Sequence, residues 1–532
     1  MKRNNIKQGF LSLAAACLAF TACTGDFERF NTDPNAAQDV DLKMFITTMQ
    51  MDAVYSCSGS DTDPNNRYQK AYNLIGDVYA GYMSGTNNWD GGTNPQIYAL
   101  NGSDWCNVPF SESFTNVMPA WLQLKYAHAN DDIFAVANIL KVMSLHRVSD
   151  IYGPLPVLHF GETENPYNSQ EECYMHFFET LDSAIAVLKD VVENNPDAKP
   201  LEEVDALYHG NYSKWLKLAN SVKLRLAMRI CYVKPDLAKQ YAMEAVRDGV
   251  METADDSALF QSWGSITIIN PLEKIWNGYS DTRMGASMDS YLNGYNDPRL
   301  PVYFQPVTEG DNKGEYRGVA NGMPNPQQDD YKAMSAPNVQ EKSTDSPLRW
   351  MMASEVAFLR AEGAMRGWTA EMGGTAEEFY NKGIELSFLE NGLSADAAAR
   401  YAADETSKPT DFTDVSAANT KYNISALGKI TIKWNAGASE EEQLERIITQ
   451  KWIAMFPNGT EAWSEFRRTG YPLIFPVRSN YPTSGVDTNK QIRRMVFPQS
   501  EYSNNGAAVQ EAVKLLGGPD NGGTKLWWDK KN

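Results

Sequence analysis

Five histidines, a handful of carboxylates and several arginine pairs are the residues here that could do chemistry. His128, His146, His159, His176 and His209 form no H-E-x-x-H and no paired metal spacing. His146 falls near the end of a predicted helix, where a cation or a cap is its expected role. The chain has no G-x-S-x-G elbow, no G-x-x-x-x-G-K-[ST] loop and no G-x-G-x-x-G turn. Glu355 and Glu362 lie seven residues apart on one predicted helix face. A glycosidase needs two carboxylates facing each other across a sugar, so two acids on one helix are expected to pair with arginines instead. Arg366, four residues from Glu362, is placed for that. Arg225, Arg229, Arg467-Arg468 and Arg493-Arg494 are likewise expected to tie helices together through carboxylates and backbone carbonyls. Asp61, Asp63 and Asn65 imitate the start of a calcium loop, but Asn66 replaces its glycine and Tyr72 its closing glutamate, so a polar loop is the expectation. No catalytic residue, cofactor or metal is assigned.

What remains is aromatic. Trp215, Trp350, Trp368, Trp452 and Trp463 sit in or beside helical patterns and read mostly as core. Trp89, Trp105, Trp263 and Trp276 sit among Asn, Asp and Gly. A flat ring matches the C–H face of a sugar, and amide, carboxylate and guanidinium groups bond the hydroxyls around it. Candidate ligand-binding residues are Trp89 with Asn87, Asn88 and Asp90, then Tyr98 and Trp105. A second set is Trp276 with Asn277, Tyr279, Asp281 and Arg283. Loop packing competes with ligand contact at each ring. If the two loops meet, their rings would form a shallow shelf open to solvent.

The elements that must position these loops are helices. Residues 131–157 anchor the reading: Ile133, Val136, Ala137, Leu140 and Met143 recur at helical spacing. Asp131 and Asp132 favour a helix start, and Gly153, Pro154 and Pro156 a hard stop. Helical patterns also cover Asp41–Cys57, Tyr68–Met83, a stretch resuming near Phe114, one from about Ser169, Tyr208–Cys231, Met351–Trp368 and Leu444–Phe456. The helical scaffold therefore spans about 41–83, 110–255, 348–400 and 441–475. Loop-rich stretches fall at about 84–109 and 256–347, and a loop-rich stretch that long is often functional.

The 532 residues are 42% hydrophobic and 22% charged, an ordinary globular balance. A formal charge of −19 with no basic cluster argues against nucleic acid as a partner. Lys2, Arg3 and Lys7 precede the apolar run Phe10–Ala22, which is too short to span a bilayer. It ends in Phe20-Thr21-Ala22-Cys23. Residues 1–22 read as a lipoprotein signal, Cys23 as the acylated N-terminus and 23–40 as a polar tether; Cys17 is a competing site. No other stretch is apolar enough to cross a membrane, so the lipid would be the only anchor. Cys57, Cys106, Cys173 and Cys231 show no C-x-x-C spacing and are expected to be buried thiols; three pairings stay open.

Several long motifs carry a resemblance. "SDIYGPLPV" closes the anchoring helix, and "FERFNTDPN" opens the tether. Gly210, Asn211, Lys214, Trp215, Lys217, Ala219, Asn220, Ser221, Arg225 and Arg229 fit one segment. Met351–Trp368, "QKWIAMFPNGTEAWSEFRRTGYP", "IRRMVFPQSEYSNN" and "KLWWDKKN" follow in order. Together they resemble the SusD/RagB family, surface lipoproteins of Bacteroidetes, from the lipobox to the last residues. The resemblance implies a mainly α fold, a tetratricopeptide-like scaffold of helix pairs with long irregular ligand-binding loops, although no such repeat recurs at a fixed period. It implies a single SusD-like domain over 41–532 at the cell surface of the outer membrane. There it would bind an oligosaccharide, or a peptide, and deliver it to a SusC-like TonB-dependent transporter, without catalysis. A surface helical glycoside hydrolase is the rival enzyme reading, and a purely structural helical scaffold the third.

Overall fold

The computed structural model describes residues 41–55, 64–87, 93–100, 104–339 and 346–531. Met1–Met44 and Phe45–Asn532 separate as two units, and the first contributes only 41–44 to the described residues. The signal, Cys17, Cys23, the tether, Cys57, Asp61 and Asp63 therefore lie outside them.

The described residues are predominantly helical, in helices α1 Met44–Ala53, α2 Met118–Tyr126, α3 Asp131–Tyr152, α4 Gln170–Asn194, α5 Tyr212–Arg229, α6 Pro235–Asp248, α7 Ala286–Gly294, α8 Ala353–Met365, α9 Ala376–Glu390, α10 Ala395–Ala402, α11 Glu440–Ala454, α12 Gly459–Thr469 and α13 Gln499–Leu516, with shorter helical turns between. Successive helices pack side by side: α3 on α4, α4 on α5, α5 on α6, α8 on α9 and α9 on α10. Helices adjacent in sequence are thus neighbours in space, the helix-pair architecture that the family resemblance implies. The second expected helix begins at Pro64, passes through a π-helical stretch Gln69–Asp77, and gives way to strand at Met83.

The anchoring helix behaves as its sequence dictates. α3 buries almost every residue from Ile133 to Tyr152. It stops at Gly153, whose φ of 95° suits glycine; an added Cβ would stand 3.0 Å from the Leu516 side chain. α4 begins with a capping box in which Ser169 and Glu172 satisfy each other's backbone N–H groups. His146 departs from expectation. It lies inside α3, fully buried, with Nδ1 2.8 Å from the Val142 carbonyl, and burial pushes its pKa down to about 3. It is a neutral core residue and neither a cap nor a surface cation.

The arginines do what their surroundings require. Arg225 donates twice to Glu355, at 2.8 Å each, and Arg229 bridges Glu461 and Glu465. Arg468 reaches Glu362 at 2.6 and 2.7 Å and Glu465 at 2.6 and 2.9 Å. Arg366 also donates to Glu362, and Lys451 to Glu465 at 2.9 Å. α5, α8, α11 and α12 are thereby joined by paired, buried charges. Burial opposes ionisation here, but Arg468 and Arg366 outweigh it and bring Glu362 down to about 2. Arg229 and Arg225 do the same for Glu461. Arg467 bonds the carbonyls of Asp150 and Arg493, and Arg494 that of Tyr152. Cys106, Cys173 and Cys231 are buried, the last two as free thiols.

Against the helices stand three two-stranded antiparallel sheets among the described residues. β1 Met83–Gly85 pairs with β5 Thr282–Met284, β2 Thr93–Asn94 with β3 Ala99–Leu100, and β4 Ala258–Phe260 with β6 Leu348–Met351. The stretch 256–347 is thus mostly irregular but contains α7, whose Ala286, Met288 and Leu292 are buried. Their pattern was overlooked because the helix is short and flanked by glycine and asparagine.

Candidate functional site

The two loop regions that carry the candidate rings meet. Met83 faces Met284, Ser84 faces Arg283 and Gly85 faces Thr282 in the β1–β5 register. The seam continues past β1: the Thr86 N–H donates to the Asp281 carbonyl at 3.0 Å and its hydroxyl to the Ser280 carbonyl at 2.5 Å.

Asp281 is the centre of this seam. Its Oδ2 accepts from Gln69 at 2.9 Å, and its Oδ1 from Asn87 at 3.1 Å and Gln328 at 3.4 Å. Three amides from three segments converge on one carboxylate. Burial, relieved only in part by these bonds, raises its pKa. Arg283 is buried too. It donates to the carbonyls of Lys332 (Nε, 2.9 Å), Trp276 (Nη1, 3.0 Å) and Thr282 (Nη1, 2.6 Å), and burial pulls its pKa down to about 10. Arg283 therefore holds the backbone of the turn that carries Trp276.

Trp276 sits on a helical turn, Lys274–Gly278, half-buried, with its indole N–H donated to the Val339 carbonyl at 3.1 Å. Asn277 is exposed and bonds Glu273 at 2.7 Å. Tyr279 is half-buried, with the Lys274 ammonium 5.5 Å from its ring centre. These three present side chains at the surface beside the seam.

The other sequence-derived candidates divide. Asn87 is half-buried and part of the seam. Trp89, Asn88 and Asp90 lie outside the described residues. Trp105 is half-buried in the turn Asp104–Cys106, whose last residue accepts a hydrogen bond from Tyr152 at the end of α3. Tyr98, Asp281 and Arg283 require correction as surface contacts. All three are buried, Tyr98 at φ 62° with its ring 5.9 Å from that of Tyr79. Their polar groups serve the frame. Trp263 also packs: its ring lies 3.5 Å from that of His209, nearly parallel, and its N–H goes to the Glu202 carbonyl.

Sequence reasoning missed the residues that brace the seam from elsewhere. Gln69, Gln328 and Lys332 serve Asp281 and Arg283. Gln96 accepts the Gly85 N–H at 2.6 Å, and Asn321 donates to the Met83 carbonyl at 2.8 Å. The only available signal was a cluster of amides in otherwise irregular sequence. Among the described residues, no group of three or more His, Cys, Asp or Glu could hold a metal ion, and no helix is long and apolar enough to cross a membrane.

Comparison with known proteins adds to this geometry. Among curated proteins none matches the chain. A solved chitin-binding SusD homologue from Flavobacterium johnsoniae is 37% identical, covers 92% of this chain and 99% of its own, and superposes with a TM-score of 0.85. A SusD-like protein from Bacteroides thetaiotaomicron is 37% identical over 92% of this chain and 99% of its own, at 0.84. A SusD homologue from Bacteroides vulgatus is 32% identical over 92% and 98%, at 0.85. With the model for Susd and RagB outer membrane lipoproteins matching residues 26–529, the chain belongs to the SusD-like family.

Proposed function

We propose that this protein is a cell-surface lipoprotein, acylated at Cys23, that binds an oligosaccharide and passes it to a SusC-like TonB-dependent transporter without hydrolysing it. The observation that carries the reading is family membership together with 37% identity to a chitin-binding homologue over nearly the full length. The joined loops support a location for the ligand. Trp276, Asn277 and Tyr279 offer ring and amide groups beside the seam, and Trp89 is proposed to add a second ring from the loop that leaves Asn87.

The test is a panel of oligosaccharides, chitin fragments included, against the wild type and the Trp276→Ala and Trp89→Ala variants. Loss of one stacking ring should weaken binding about tenfold to a hundredfold, by analogy with aromatic stacking of other flat ligands. Ligands should be recovered intact. Normal binding by both variants would place the site elsewhere, and turnover that persists on re-purification would make the protein an enzyme. Cys23→Ala expressed in a native host should no longer partition with membranes, and gentle extraction of the wild type should bring down a large β-barrel protein.

A further inference from the structure

A cleft of about 360 Å³ opens between α2, α3 and α4, on the helical scaffold and away from the β1–β5 seam. Its floor is Lys141 of α3, only 3% exposed. The Lys141 ammonium lies 3.1 Å from His176 Nε2 on α4 and 4.0 Å from the centre of the Trp121 ring on α2. Lys125 stands at the mouth, exposed, with its ammonium 5.4 Å from the centre of the Trp121 ring. Phe134, Phe160 and Leu158 make the outer wall, and Leu158 is 38% exposed.

The feature that needs a reason is the missing counter-charge. Burying a cation is costly unless it is paired. Other buried lysines here obey that rule: Lys223 bonds Asp182 at 2.6 Å and Glu244 at 2.7 Å, and Lys451 bonds Glu465 at 2.9 Å. Lys141 has no carboxylate ion pair among the described residues; Glu179, on the exposed rim, pairs with neither lysine. Burial, and then Lys125, press its pKa down to about 7, and His176 is pushed down to about 4 by burial and by Lys141. The buried amine of Lys141 thus has an imidazole and an aromatic face beside it but no carboxylate.

We propose that this cleft binds the carboxylate of a small ring-bearing organic acid, received by Lys141 and His176, with its ring against Phe160 and Leu158. An incoming carboxylate supplies the absent counter-ion, and a cleft of this size suits a single ring. A phosphate is the poorer fit, because the lining offers no arginine fork and no helix N-terminus. Residues from three helices build the site, which is why no sequence motif announced it.

The experiment is NMR of the histidine ring signals in the full chain, titrated with D-glucuronate and, as its neutral match, D-glucose. His176→Gln identifies the His176 signal. Glucuronate should shift that signal saturably and glucose should not. Lys141→Met should weaken glucuronate at least about thirtyfold, the scale expected for removing a buried charge partner. Lys125→Ala, at an exposed position that keeps the fold, should weaken it about twofold to fivefold. If glucuronate leaves the His176 signal unmoved, or glucose moves it equally, the proposal falls. It also falls if a folded Lys141→Met variant binds glucuronate as the wild type does.

Discussion

Two regions of this molecule solve the problem of buried polarity in opposite ways. Where α5, α8, α11 and α12 meet, full charges are balanced against each other: Arg225, Arg229, Arg468 and Lys451 against Glu355, Glu362, Glu461 and Glu465. At the β1–β5 seam Asp281 and Arg283 form no direct ion pair: the carboxylate is met by the neutral amides of Gln69, Asn87 and Gln328, and the guanidinium by carbonyls. The first arrangement depends on balance, since each charge removed leaves its buried neighbours short of a partner. The second shares its load among single hydrogen bonds, each modest. A scaffold built of interlocked charges is intolerant of single changes, whereas the seam can lose one hydrogen bond and keep the others.

The sharpest way to break this contrast is Arg468→Met. It takes from Glu362 and Glu465 the guanidinium they share, leaving Glu362 to Arg366 and Glu465 to Lys451 and Arg229, and should cost about 3–5 kcal/mol in denaturant unfolding. A cost below about 1 kcal/mol would mean that the network is not a unit.

Acid titration tests the same network. Glu362, Glu461 and Glu465 are held below their ordinary value of 4.5, the first two at about 2. The unfolded chain binds their protons first, so their contribution is present above pH 4.5 and is lost as pH falls towards about 2. Unfolding free energy measured across that window should fall steadily, and Glu362→Gln should flatten the slope.

Next in size is Asp281→Ala, which takes an acceptor from Gln69, Asn87 and Gln328, the last keeping the Tyr279 carbonyl at 2.9 Å, and should cost about 1–3 kcal/mol. The loss should be local. Hydrogen exchange ought to quicken at Thr86 while the α3 amides stay protected. Uniform acceleration would show the seam to be part of the global fold.

Smallest is Asn277→Ala at the exposed turn, expected to change stability by less than about 0.5 kcal/mol. Any effect should appear in oligosaccharide affinity alone.

How legible all this was in the sequence follows the same division. Most helices announced themselves through periodicity, though α13 Gln499–Leu516, which buries only Val509 and Ala512, lies beyond the expected scaffold; the pairing of Glu355 and Glu362 with arginines was legible in their spacing and type. Gly153 with its prolines marked a helix end locally. His146 was misplaced because one residue's position near a helix end says nothing of the helices that cover it. That the loops after β1 and before β5 would touch was a conditional expectation, since strand pairing across some two hundred residues leaves no local trace. Asp281 and Arg283 looked like ligand groups because charge and aromatic neighbours read alike whether they face water or the interior. Lys141, Lys125 and His176 could not be grouped at all before three helices brought them together.

The convergence of Gln69, Asn87 and Gln328 on Asp281 has a consequence for anyone exchanging loops between relatives. Residues 84–87 and 280–283 are not separate modules, because each ends on the other's hydrogen bonds. A graft of one alone would bring side chains cut for a carboxylate that the recipient does not supply. The smallest transplantable piece is the pair of loops with Gln69 and Gln328, and specificity in this scaffold would then be inherited in four-part sets.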